Sequence, residues 1–168
     1  MGFDVYGMNP KINKEQEKYS VYNKYKDMDF KQKWEELDAD EELRNQYWKE
    51  HEDYEENNPG IYFRNNVWWW RPLWAYVCDE FPDILGERDE EGGSYNDGHA
   101  ISERKAMRIG IGLTAKLENG EVEEYAKSFE QAREKLDDDN WDKSYPFNVE
   151  NVEHFAKFCL ESGGFEIC

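Results

Sequence analysis

The sequence predicts a mainly α fold: a single compact helical domain over residues 1–168, with an aromatic core and a short two-stranded β element built from the two termini. Three observations carry this. Apolar residues recur at helical spacing through most of the chain. Aromatic residues make up 16% and offset a hydrophobic content of only 38%, because each ring buries a large area. A length of 168 residues suits one domain with a real core.

The elements follow in order. In "MGFDVYGMNP", Phe3 and Val5 alternate with Asp4 and Tyr6 until Gly7 and Asn9-Pro10 end the run. That is a short strand, and the terminal "GFEIC" at 164–168 is its expected partner. Residues 12–57 read as an acidic helical insertion with two or three helices. Tyr19, Tyr22 and Tyr25 repeat at i+3; Phe30, Trp34 and Leu37 follow; then Leu43, Tyr47, His51 and Tyr54 form a stripe. Asp29 and Asp40 are the expected N-caps. "NNPG" at 57–60 breaks the chain, and residues 60–168 form the motif-bearing core.

Pro72 lacks an N–H and fits the first turn of a helix. The expected helix therefore runs from about Arg71 to Phe81, with Asn65–Trp70 as an extended approach. Residues 86–98, "GERDEEGGSYNDG", read as a loop by composition. A helix capped by Asp97 follows, with Ile101, Ala106, Ile109, Leu113 and Leu117 on one side. Ala106 and Gly110 permit close approach of another helix, and Asn119-Gly120 ends this one. The strongest stripe comes next: Val122, Tyr125, Ala126, Phe129, Ala132, Arg133 and Leu136. The last helix is capped by Asn148, buries Val149, Val152, Phe155, Phe158 and Cys159, and stops at Gly163-Gly164.

Charge narrows the function classes. With 21 Lys and Arg against 39 Asp and Glu, the net charge is −18. Direct nucleic-acid binding and anionic membranes are disfavoured, since phosphate neutralisation needs basic residues. A basic protein partner, or mimicry of nucleic-acid charge, is compatible with it. The segment Asp27–Asn58 alone holds thirteen acids against four basic residues. Three cysteines, Cys78, Cys159 and Cys168, and an opening without an apolar leader point to free thiols in a reducing cytoplasm.

Catalytic signatures are missing. There is no GxxxxGKS loop, HExxH, CxxC or GxSxG, and "GIG" at 110–112 lacks a preceding strand. No catalytic residue, metal ligand set or cofactor is assigned. His99, His154 and the cysteines are not paired at ligand spacing.

What stands out is "NNVWWWRPLW", Asn65–Trp74. It carries four of the seven tryptophans and lies in a stretch, Gly60–Cys78, without an acidic residue. Arginine forks grip phosphate or carboxylate, and indole faces stack on planar rings. The expected ligand site is Arg64, Asn65, Asn66, Trp69 and Arg71, closed by His99, Ser102 and Arg104 from the next helix. On an extended segment, period-two alternation would send Trp68 and Trp70 to the core and Trp69 to the site. The competing reading is a core cluster with ordinary ion pairs.

The start "MGFDVYG", the central "YFRNNVWWWRPLW", "GHAIS" and the ending "YPFNVENVEHFAKFCLESGGFEIC" resemble a group of small uncharacterised proteins of tailed bacteriophages and bacteria. The resemblance implies a phage-type accessory protein in the host bacterial cytoplasm, of the kind that counters host defence. Three functions are then expected in order. The first is a non-catalytic binder sequestering a nucleotide-like or other planar anionic ligand in a Trp/Arg/Asn pocket. The second is an acidic inhibitor of a basic host protein. The third is an enzyme on a small nucleotide-like substrate.

Overall fold

The computed structural model of the protein describes residues 2–13 and 18–168. Residues 14–17 of the expected helical insertion lie outside the described residues. Along the chain come β1 (Gly2–Gly7), α1 (Ser20–Tyr25), α2 (Phe30–Asp38), α3 (Glu41–Asn57), β2 (Tyr62–Asn66), α4 (Val67–Glu80) and α5 (Glu87–Gly93). There follow β3 (His99–Ser102), α6 (Glu103–Glu118), α7 (Glu121–Glu134), a 3-10 turn at Trp141–Ser144, α8 (Val149–Glu161) and β4 (Gly164–Ile167). The fold is mainly α with a small antiparallel sheet. The chain divides into two compact units, Met1–Lys11 with Pro59–Cys168, and Ile12–Asn58.

The first unit holds the sheet, in the order β2-β1-β4-β3, every pair antiparallel. The expected pairing of the termini is present, with Val5 opposite Ile167 and Gly7 opposite Phe165. Two strands were not expected. Tyr62–Asn66 adds β2 on one edge, and His99–Ser102 adds β3 on the other. Alternation sends Phe3, Val5, Phe63, Ile101, Phe165 and Ile167 into the core, where Trp70, Phe155 and Phe158 meet them. The outward face is polar: Tyr62 donates to Asp4, and Arg64 Nε lies 3.5 Å from Asp4.

Three expectations about boundaries are corrected. The helix α4 begins at Val67, five residues before Pro72, so the three adjacent tryptophans are helical. Asn66 is its cap: the side-chain oxygen accepts from Trp68 N at 3.0 Å and Trp69 N at 3.1 Å. That cap, and the burial of Trp70, Leu73, Trp74 and Val77 on one face, outweigh the bond and the fit lost at an interior proline, about 3 kcal/mol. Residues Glu87–Gly93 form α5, not a loop. The sequence HAIS is strand β3, so Asp97 caps nothing there and α6 starts at Glu103.

The helices α6 and α8 follow their patterns, whereas of the stripe expected on α7 only Val122 is buried and Leu136 lies past the helix end. Ala106, Ile109 and Leu113 of α6 are buried, and a Cβ at Gly110 would lie 2.8 Å from Leu160 Cγ, the close approach expected there. Asn148 caps α8 through Asn151 N at 2.8 Å, and Val152, Phe155, Phe158 and Cys159 are buried. In the second unit, Asp29 and Asp40 cap α2 and α3 as expected. Its small core is Tyr25, Leu37 and Tyr47. Among the described residues, no helix is long and apolar enough to cross a membrane.

Candidate functional site

Helical geometry decides what the tryptophans do. Residues on one helical face recur every three or four positions, not every two. Trp70 and Trp74 therefore share the inner face. Trp70 is fully buried, stacked on Phe3 at 5.3 Å and on Trp74 at 5.5 Å. Trp68 is 37% exposed, so the expectation that it joins Trp70 in the core is wrong. The two inner indoles also hold α5. Trp70 Nε1 donates to Gly93 O at 2.8 Å, and Trp74 Nε1 to Glu90 O at 3.1 Å. These are carbonyls in the last turn of a short helix, where backbone partners run out, and Glu90 O also accepts from Ser94 Oγ at 2.8 Å. Gly93 is required there, since a Cβ would lie 2.1 Å from the Trp74 ring.

The eight residues expected to form one site fall into six places. Arg64 pairs with Asp4 on the outward face of the sheet. Asn66 is spent on the α4 cap. Asn65 and Trp69 come together in an open hollow of about 230 Å³ with Asn148, Glu150, Asn151 and His154. There Asn65 Nδ2 donates to Asn151 Oδ1 at 2.9 Å, and Asn151 Nδ2 to Trp69 O at 3.4 Å. The hollow has no arginine, so it lacks the charge an anion needs.

His99 belongs to a different cluster. Its Nε2 lies 3.1 Å from Asp89 Oδ1, and Lys105 donates to the other carboxylate oxygen. Gly86 N donates to Asp89 at 3.2 Å. Burial alone would raise the Asp89 carboxyl, but the bonds from Lys105, Gly86 and His99 together hold it below its ordinary value. The cluster ties α5 to β3 and α6. Ser102 and Arg104 are exposed at the start of α6, and Ser102 makes no side-chain cap bond.

Arg71 alone opens onto an apolar groove. The groove runs between α4 and α7 and has a volume of about 410 Å³. Pro72 and Ala75 form one wall; Phe129, Ala132 and Leu136 form the other; Tyr145 and Asp142 lie at the 3-10 turn. Tyr76, Tyr125 and Phe147 pack ring against ring at 4.5–5.2 Å, and Phe147 meets the groove's Phe129 at 5.7 Å between ring centres. Two guanidiniums line the groove, and they differ. Arg133 is occupied: it forks onto Glu130 at 2.7 and 2.8 Å and donates to Lys143 O at 2.7 Å. Arg71 donates to Tyr145 OH at 3.0 Å, and its guanidinium carbon lies 5.6 Å from that ring centre. It makes no ion pair with a carboxylate among the described residues. Trp68 extends this aromatic edge, 5.0 Å from Tyr145 between ring centres.

Nucleophiles are subdued. Burial first, then Glu90, Asp79 and Asp89, pushes the Cys78 thiol up to about 12. Burial raises Cys159 well above its ordinary value. Cys168 is raised by burial, then by Glu166 and Asp4. Thiolate is the reactive form, so these thiols are weak nucleophiles at neutral pH. Among the described residues, no group of three His, Cys, Asp or Glu side chains is placed to hold a metal ion.

Sequence reasoning missed Tyr145 and the groove wall on α7. The signal was in the stripe itself: Phe129, Ala132 and Leu136 continue it past Val122 and Tyr125, yet are not fully buried. No known protein family, curated protein or solved structure matches the chain, and the geometry of the groove stands by itself.

Proposed function

We propose that the protein is a non-catalytic binder that sequesters a planar or apolar anion, of nucleotide type, in the groove between α4 and α7. One observation carries the reading. In a chain of net charge −18, the Arg71 guanidinium has no carboxylate partner among the described residues and stands at an apolar groove of about 410 Å³. Ligand pockets have this size and this makeup, an apolar lining with few polar groups that fix orientation. The ring of the ligand lies on Pro72, Phe129 and Leu136. Its phosphate or carboxylate takes the free N–H groups of Arg71, a bidentate match. Tyr145 holds the guanidinium in place. In this reading the protein is a phage-type accessory of the host bacterial cytoplasm, as the resemblance implies, and its effect is to lower the free ligand.

The test is a thermal-shift series with adenosine monophosphate, a cyclic dinucleotide, ADP-ribose and an aromatic carboxylate. At least one raises the melting temperature of the wild type and not that of Arg71→Ala. No shift with any of them at millimolar concentration contradicts the reading.

A further inference from the structure

The unit Ile12–Asn58 carries aromatic rings beyond those its core uses. Its buried core is Tyr25, Leu37 and Tyr47, with Trp34 partly buried against it and Phe30 and Trp48 left outside. Above Tyr47 runs a ladder: Phe30 to Trp34 at 6.2 Å, Trp34 to Trp48 at 5.7 Å, and Trp48 to His51 at 5.6 Å between ring centres. The outer rings face water, Phe30 at 77% exposure and Trp48 at 42%. Exposed rings grouped in this way mark interaction surfaces rather than ordinary solvent-facing residues.

The surroundings select the occupant. Glu52 follows Trp48 by one helical turn and, like Glu41, Glu42 and Glu56, makes no ion pair among the described residues. The chain already shows how a cation sits here: Lys33 Nζ lies 5.4 Å from the Trp34 ring centre and 4.2 Å from that of Tyr47. Aromatic faces attract Lys and Arg, and Arg most often. A second copy of the chain would bring another net charge of −18, and a phosphate-bearing surface would be repelled likewise.

We propose that the α2–α3 face docks a Lys/Arg-rich segment of another protein, its cations lying on Phe30, Trp34 and Trp48 with Glu52 beside them. This is independent of the groove on the other unit, and it does not involve Arg71.

The probe is a fluorescent alternating Arg-Gly dodecapeptide, followed by polarisation at about 0.1 M salt, where exposed charges are screened beyond about 10 Å. Trp48→Ala and Phe30→Ala keep the net charge, and Phe30 is exposed enough that its removal leaves the fold intact. Each weakens the peptide about tenfold, the loss of one desolvated cation–π contact. Glu52→Gln weakens it too. Asp137→Asn with Asp139→Asn, which removes more charge elsewhere, changes it less than about twofold. Three results overturn the proposal. One is no binding by the wild type. Another is equal binding by the aromatic variants, which means charge alone acts. The third is concentration-dependent self-association abolished by Trp48→Ala, which assigns the face to a second copy.

Discussion

Replacing Trp70 and Trp68 by alanine, one at a time, separates a helical tryptophan cluster from an extended one. Trp70 is fully buried and stacked on both sides, so its truncation leaves a cavity in the first unit's core. Such changes cost about 3–5 kcal/mol. The variant also leaves Gly93 O without its 2.8 Å bond, inside the fold, at a further cost of about 1–3 kcal/mol. The two costs overlap, because the cavity relaxes, and the expected loss is about 5 kcal/mol. Trp68 is 37% exposed and packs mainly on Tyr145; its loss costs about 1 kcal/mol. With a urea slope of about 2 kcal/mol per molar, Trp70→Ala lowers the midpoint by about 2.5 M and Trp68→Ala by about 0.5 M. Trp69→Ala falls between. Urea titrations followed by circular dichroism read this directly. Equal losses for Trp68→Ala and Trp70→Ala, with Trp69→Ala spared, would refute the reasoning, because that is the pattern of an extended segment.

Four other outcomes follow. Asn66→Ala removes the cap that overrides Pro72 and costs about 0.5–2 kcal/mol, seen as earlier unfolding in urea and faster exchange of the Trp68 and Trp69 amides. Asp89→Asn lowers stability at neutral pH and flattens its acid limb. The Asp89 carboxyl is held below its unfolded value of about 3.9. Its contribution is therefore full above that pH and is lost as pH falls through the lower folded value; urea midpoints between pH 7 and pH 3 show it. Cys78 and Cys159 resist alkylation in the native protein and react once it is unfolded in urea, because burial suppresses both thiolates. Phe129→Ala weakens any ligand of the groove and, since Phe129 is only half-buried, costs less stability than Phe155→Ala.

The parts legible in the sequence were those set by local chemistry. Asp29, Asp40 and Asn148 cap their helices, and the stripes on α6 and α8 bury most of the residues expected, with Leu117 and Val149 only partly buried and Ile101 on β3 instead. The pairing of the two termini was legible from short alternation in "GFDVYG" and "GFEIC". What failed depends on distant partners. The helix α5 is made mostly of acids and glycines, and the indoles of Trp70 and Trp74 secure its carbonyls from another element. Strands β2 and β3 contribute only Phe63 and Ile101 as large apolar side chains to the core, too few to show a period. At α4 two rules conflicted: Pro72 favours a late start, and Asn66 an early one. The cap prevailed because the early start also buries Trp70. That change, with strand β2 sending Arg64 and Asn65 to opposite faces and His99–Ser102 forming β3, dispersed the expected site. With Trp68–Trp70 helical, Arg64, Asn65 and Arg71 face three directions, and only Arg71 reaches the groove. Its opposite wall was visible as a stripe on α7, which reads as core until Tyr145 and Ala75 are seen to leave a gap.

The central claim is that the α4–α7 groove binds a planar or apolar anion through Arg71. Nitrogen-15 NMR titration of the protein with adenosine monophosphate tests it most directly. Saturable shifts are expected at Ala75, Phe129, Leu136 and Tyr145, abolished in Arg71→Ala, while Asn65, Asn151 and His154 stay still. Shifts confined to Asn65, Asn151 and His154, or the same shifts in Arg71→Ala, would contradict it.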